Sequence, residues 1–359
     1  MKDMAPTLLA ILKKRILARA RRQLAGFSLV ELMVACAILA AMMGLISVAI
    51  RQMAGGIKTS TAKVDAFQSA RTGFESVSRT LGVANLNTYW DYFDSDRKPR
   101  GTNTNFTPAT YGRQSDLHFL ITNNFPTVSG LELSGHSVFF QAPLGYFTNT
   151  SSTNPPGSLN PCGFFVAYGE DPTMPNVGIS NRPRFRLYQW LPSSDSMTVT
   201  LSSGRITNTN WISPATNNGV RPLAENIIAF VIRVPSATNS TGPVTNSTTY
   251  STTATNYNWN SLTTWSTGSQ PAQMHQLPPL VNITMVAVEE AAVNRLAGTI
   301  NNPSDAASAM GINNFSTLFT DEAQYDADLL RLETALSSKN IPYRTFTTTV
   351  PLRGSRWSP

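Results

Sequence analysis

The chain has 359 residues, with 28 Lys and Arg against 21 Asp and Glu and a net charge of +7. That balance would suit a nucleic-acid binder, but seven basic residues (Lys2, Lys13, Lys14, Arg15, Arg19, Arg21, Arg22) fall within residues 1–26 beside one acid, Asp3, so the remaining chain is nearly neutral and carries no basic stripe. Of the two cysteines, Cys36 lies in an apolar run and Cys162 in the body of the chain, which argues against an intrachain disulfide.

Behind the basic segment, nineteen residues from Leu32 to Ile50 (LMVACAILAAMMGLISVAI) carry no charge. As a helix they extend about 28 Å, close to the hydrocarbon thickness of a bilayer. Lys and Arg ahead of such a segment hold the N-terminus in the cytoplasm and send the body outward, an asymmetry that Arg51 alone does not reverse. Glu31 stands at the edge of the span. At mid-membrane its carboxylate would cost about 2.5 kcal/mol or more, so it needs a reason to be there.

Beyond the span, Ile57, Val64, Phe67, Ala70, Phe74, Val77 and Leu81 recur at helical steps, with Lys58, Lys63, Asp65, Gln68, Arg71, Glu75 and Arg79 on the opposite face. The spacing predicts a nearly continuous helix from Phe27 to Val83, about 85 Å long. Its spanning half is 27–50 and its amphipathic half 51–85. Gly55-Gly56 is the expected bend, with Gly44 a lesser interruption.

Residues 86–359 form the predicted head, rich in Asn, Thr, Ser, Pro and Gly. Strand candidates are Asp116–Thr122, Ser137–Gln141, Gly163–Tyr168, Arg184–Trp190, Asn226–Val234, Leu280–Val288 and Tyr343–Leu352. In Arg184–Trp190, Phe185, Leu187 and Gln189 share one face, opposite Arg184, Arg186, Tyr188 and Trp190. Helices are expected over Ala287–Leu296 and Asp321–Ser337, the second with Tyr325, Leu329, Leu332 and Leu336 on one face. The fold class is α+β: the long helix packed on a mainly antiparallel sheet. Residues 236–276 read as a Ser/Thr/Asn-rich insertion. Its Trp259 and Trp265 either pack on the head or anchor a glycan or partner.

No catalytic constellation emerges. His118, His136 and His275 are far apart without ligand spacing, and HExxH, CxxC, GxSxG and phosphate-loop patterns are absent. His118, between apolar neighbours, reads as a core or edge residue, and Cys162 as a small buried one. Asp91, Asp94 and Asp96 suit a calcium-binding turn or, more often, a solvated one. Glu289-Glu290 is no dyad. The reading is a chain that is not an enzyme, with no cofactor and no metal.

The string Gly26-Phe27-Ser28-Leu29-Val30-Glu31, between the basic leader and the apolar run, closely resembles the processing signal of type IV pilins and pseudopilins. The resemblance implies that a prepilin peptidase cuts after Gly26 and methylates the new terminus at Phe27, and that Glu31, the fifth mature residue, meets the amino terminus of a neighbouring subunit. An ammonium partner would offset the buried carboxylate and fix the register between subunits. A secretory signal peptide would discard its apolar core; here the core follows the cut and stays. Leu223–Val234 and Leu277–Glu289 are similar to segments of the minor pilin W and pseudopilin J group. Residues 85–92 and the Val-Pro-Leu-Arg at 350–353 resemble Verru_Chthon cassette protein C. The implied function is a minor pilin or pseudopilin of the bacterial inner membrane, with its head periplasmic, priming or capping a type IV pilus or type II secretion-like filament with other subunits. The rival is a membrane-anchored adhesin or sugar-binding head on a pilin-type stalk.

Overall fold

The structure is a computed structural model that describes residues 28–101, 105–123, 128–148, 157–174, 183–196, 205–213, 218–234, 257–265, 268–289, 292, 302–312 and 315–355. The chain divides into two compact units, Met1–Ala62 and Lys63–Pro359. Helix α1 runs unbroken from Leu29 to Leu81, through Gly44 and through Gly55-Gly56. Helical structure therefore continues through the glycine pair without a local melt. Each glycine costs about 1 kcal/mol relative to alanine, too little to end a helix whose neighbouring turns are strong formers.

In the first unit, every described residue from Leu29 to Ile57 is exposed, and this stretch is long and apolar enough to cross a membrane. In the second unit the apolar stripe enters the core: Ala70, Phe74, Val77 and Leu81 are buried. A Cβ placed on Gly73 would lie 3.0 Å from that of Ala224, which marks how closely the helix meets the sheet. The helix stops at Gly82, whose carbonyl accepts from the Arg353 N–H at 3.2 Å.

Eleven strands occur among the described residues: β1 Tyr89–Phe93, β2 Thr110–Gln114, β3 Leu120–Thr122, β4 Leu131–Pro143, β5 Leu159–Gly169, β6 Arg184–Trp190, β7 Val220–Glu225, β8 Ile227–Arg233, β9 Trp259–Asn260, β10 Leu280–Val288 and β11 Tyr343–Pro351. They form a six-stranded sheet in the order β7-β6-β5-β4-β3-β9, a three-stranded sheet β11-β10-β8 and a ribbon β1-β2. All pairings are antiparallel. The chain passes from the large sheet to the small one at a single residue, Asn226, in the left-handed region at φ 60°. Its N–H donates to Phe185 and its carbonyl accepts from Val288, so the switch leaves neither group unsatisfied.

The large sheet is buried on both faces. On β5, Cys162, Phe164, Val166 and Tyr168 join the main core, while Phe165 and Ala167 join a second core with Phe139, Tyr188, Trp190 and Ile212. The faces of β6 separate as the alternation predicts, but both are covered: Phe185 and Leu187 enter one core, Tyr188 and Trp190 the other. Gly163 sits directly opposite Phe139, and a Cβ there would fall 2.3 Å from the ring. Gly163→Ala is therefore expected to lower stability by about 1–3 kcal/mol, read by chemical denaturation; an unchanged midpoint would contradict this packing.

Two predicted elements change. Strand β3 covers only the end of Asp116–Thr122, because Ser115 Oγ accepts from the Leu117 N–H and donates to backbone carbonyls, so the chain turns before it pairs. Ala287 and Val288, shared in the sequence reading by the strand Leu280–Val288 and the helix Ala287–Leu296, belong to the strand, β10; most of 289–296 lies outside the described residues. Helix α2, Pro303–Ala309, starts on Asn302, whose side chain accepts from the Asp305 N–H with Pro303 just inside. Helix α3, Tyr325–Ser338, buries Tyr325, Leu332 and Leu336 on its expected stripe, with Leu329 packed against the core. Its Asp328 accepts from the Phe319 N–H at 2.8 Å.

Candidate functional site

The assembly segment begins at the edge of the described chain. Gly26 and Phe27 lie outside the described residues; Glu31 occupies the first turn of α1, where a carboxylate interacts favourably with the helix N-terminus. Leu29, Val30, Leu32, Met33 and Val34 beside it are exposed large apolar residues. Among the described residues this stretch has no packing partner, and lipid or other subunits are coverings suited to so apolar a surface. The second half of the same helix is covered by its own head. One helix thus has two environments, and the change of environment accompanies the change from an all-apolar to a one-stripe sequence.

The described part of the insertion takes the first of its two alternatives and packs on the head. Residues 235–256 lie outside the described residues, but its last part is packed. Trp259 is 1% exposed and donates from its indole to the Gln276 carbonyl; Trp265 is 9% exposed and donates to Gly268. Both tryptophans are buried in the head. Trp265 forms a small core with Phe93 and Met274, its ring 5.3 Å from that of Phe93 and edge-on to it. This core seats the β1-β2 ribbon. Gly112 meets the indole so closely that a Cβ would fall 2.9 Å from it. The Gln270 side chain acts as a third strand, accepting from the Arg113 N–H and donating to the Arg113 carbonyl, both at 2.7 Å. Arg113 then turns under the loop and donates to the Pro271 carbonyl at 2.9 Å.

The ribbon exposes a group of rings. Trp90, Tyr92 and Tyr111 are 46%, 47% and 55% exposed. Tyr92 and Tyr111 are cross-strand partners with centroids 5.1 Å apart; Trp90 and Tyr111 lie 5.4 Å apart in planes 18° from parallel. The Arg100 guanidinium stands over Tyr92 at 5.8 Å and over Phe106 at 5.6 Å. The sequence signal, a Tyr-Trp-Asp-Tyr run, was visible, but its exposure was not.

The acidic turn at the end of β1 spends its carboxylates separately. Asp91 accepts from the Tyr92 N–H and Asp94 from the Lys98 N–H, each at 2.8 Å, and Asp96 faces Lys98 Nζ at 3.6 Å. Among the described residues no three His, Cys, Asp or Glu groups converge as metal ligands.

The histidines are structural neighbours of this region. Trp211 donates to His118 Nδ1 at 3.0 Å, which leaves the Nε2–H to donate to Asn260 at 2.8 Å. His136 accepts from the Ile232 N–H and donates to the Phe319 carbonyl, joining β4, β8 and the α3 approach. Burial pushes His118 down to about 4 and lowers His136. His275 is lowered to about 4 by burial, with Arg205, Arg113 and His118 adding to the effect. A buried imidazole that stays neutral down to low pH is poor material for a general base near neutral pH. Burial also pushes the Cys162 thiol up to about 12, so it is no nucleophile.

A family model described as the prokaryotic N-terminal methylation motif matches residues 21–47, from Arg21 through Gly26, Phe27 and Glu31 into the apolar helix. No curated protein and no solved structure matches the chain. The motif, with a long apolar N-terminal helix followed by a mostly antiparallel head, supports a type IV pilin-like precursor, which suggests a structural subunit rather than an enzyme.

Proposed function

We propose that this chain is a minor pilin or pseudopilin. A prepilin peptidase cuts after Gly26 and methylates Phe27, and the apolar half of α1 anchors the product in the inner membrane with the head on the periplasmic side. During assembly the helix leaves the bilayer for a bundle of like helices, exchanging lipid contacts for protein ones, while Glu31 takes the ammonium of a neighbour as its partner. The match at residues 21–47 carries this reading. The contrast between the uncovered first half of α1 and its buried second half supports it. A head of this size, repeated at every step of a filament, would crowd its neighbours, which favours a place at the tip or in a priming complex.

The test is mass spectrometry of sheared surface filaments and washed envelopes, searching for a peptide that begins at N-methyl Phe27. Its presence in filaments at a small fraction of the main subunit is the expected result for a minor pilin. Processed chain confined to the envelope would assign it to a secretion-type filament. Uncut chain in peptidase-competent cells would overturn the proposal.

A further inference from the structure

The two larger sheets end on four strands, and three of these are poor receivers of a partner strand. β7 contains Pro222, β9 has two residues, and β8 is buried at every residue but Arg233. β11 is the exception. It pairs with β10 alone, in an unbroken register from Tyr343 to Pro351, and only Val350 of its residues is buried. It has no lysine, no bulge and no proline before its last residue, which are the devices that ordinarily guard an edge. Among the described residues no strand covers its outer side, so a row of backbone N–H and C=O groups faces outward there.

Beside that edge lies an open groove of about 980 Å³ between β11 and the head half of α1. Phe67 and Phe74 of the helix and Phe346 of the strand supply its apolar lining, with the Phe74 and Phe346 rings 5.8 Å apart. Its charges do not cancel. Arg71 pairs with Glu75 at 2.8 Å, whereas Arg344 is exposed, stands over the Phe346 ring at 5.9 Å and has no carboxylate partner among the described residues. A strand added to β11 would lay alternate side chains into this groove, so backbone bonds would hold it and the groove would select its sequence. Apolar residues suit the positions facing Phe346, and an acid suits the one facing Arg344.

The direction of α1 decides whose strand this is. Helix residues 67–75 lie beside 344–348 and Gly82 beside Val350, so the helix and β11 run the same way. In two copies of β11 the same residues face outward, so the copies can pair only antiparallel about a two-fold axis. A parallel ladder needs an offset of one residue, which the axis forbids. An antiparallel pair would run the two Lys63–Leu81 segments in opposite directions, against the common direction that anchoring in one membrane imposes. This step rests on the anchored reading above, and it favours a different chain over a second copy.

We propose that β11 receives an extended strand from a different subunit, running antiparallel to it, with apolar side chains in the α1–β11 groove and a carboxylate on Arg344.

The experiment titrates the full-length chain, held in detergent, into a fluorescein-labelled probe strand, Thr-Val-Thr-Val-Thr-Val-Thr-Glu-Thr, and into its counterpart with Lys in place of Glu. Paired antiparallel with β11, the probe sets its Glu opposite Arg344 and a Val opposite Phe346. Saturable binding of the Glu probe is expected, about fivefold tighter than that of the Lys probe, and Arg344→Glu should invert the order. Arg344 is exposed, so thermal unfolding of the variant should match the parent. Hydrogen exchange should slow over 343–351 on binding and stay unchanged over β7. Failure of both probes to bind, equal affinity for the two, or unchanged exchange over 343–351 would overturn the proposal. The anchored reading would survive that result if N-methyl Phe27 is still found. A second copy has its own test: two-fold pairing centred on β11 sets Thr347 opposite itself. Thr347→Cys chains that cross-link to one another in membranes, where the parent does not, would overturn the choice of a different chain and count against a common anchoring direction.

Discussion

Cells carrying Gly26→Leu are expected to accumulate the uncut chain in the membrane, with N-methyl Phe27 absent from their peptides. The proposed cleavage site lies where the basic leader meets the apolar helix, and glycine there would offer the peptidase a backbone with no side chain and free access to conformations that leucine resists. Glu31→Ala should do the opposite to the two steps. Removing the carboxylate makes the span easier to place in lipid, by up to about 2.5 kcal/mol, so membrane insertion and cleavage should persist. Incorporation into filaments, or priming of them, should nevertheless fall by about tenfold or more, because the neighbour's ammonium loses its partner. An immunoblot of precursor and mature forms, with quantification of the sheared fraction, reads both steps. Normal processing of Gly26→Leu would remove the cleavage assignment; normal incorporation of Glu31→Ala would remove the assembly role while leaving the cleavage site standing.

Acid should unfold the head over a narrow range, and the histidines set it. His118 and His275 hold on to their neutral forms down to about pH 4, whereas in the unfolded chain they take up protons near 6.5. Between those values the unfolded state binds more protons than the folded one, so stability is full above about pH 6.5 and declines as pH falls toward 4. Each withheld proton costs on the order of 3 kcal/mol at the lower end, and two of them approach the whole stability of an ordinary domain, about 5–15 kcal/mol. His136, buried between β4 and β8, adds in the same direction. Urea denaturation at pH 7.5, 6.0 and 5.0 should show the decline. His118→Gln, which removes one titrating ring, should be less stable at pH 7.5 but lose less on acidification. An identical pH slope in the variant would show that the acid sensitivity comes from other groups.

The N-terminal methylation motif and the apolar helix behind it were legible without any fold. Gly26, Phe27, Glu31 and the apolar run are neighbours in sequence, and a peptidase or a bilayer reads them as an extended segment and a helix, which local rules describe well. The long helix and the strands at Arg184–Trp190 and Leu280–Val288 were legible for a related reason, since periodicity and β-branched runs signal directly which residues face inward. Strands β2, β7 and β9 were not: Thr110–Gln114 contains Gly, Arg and Gln, Val220–Glu225 contains a proline, and β9 has only two residues. Such segments become strands because a neighbour offers them a ladder, as β6 does for β7.

Which aromatics face water was decided by tertiary structure alone. Trp259 and Trp265, in a polar insertion, were compatible with packing on the head or with a partner; Tyr89–Phe93 gave no sign of which rings would be free. Sequence composition reports how apolar a residue is, but burial depends on whether another segment arrives to cover it. The described residues of 257–276 arrive under the ribbon, more than a hundred and forty positions from it in sequence, bury their own tryptophans against Phe93 and β3, and leave Trp90, Tyr92 and Tyr111 on the uncovered side.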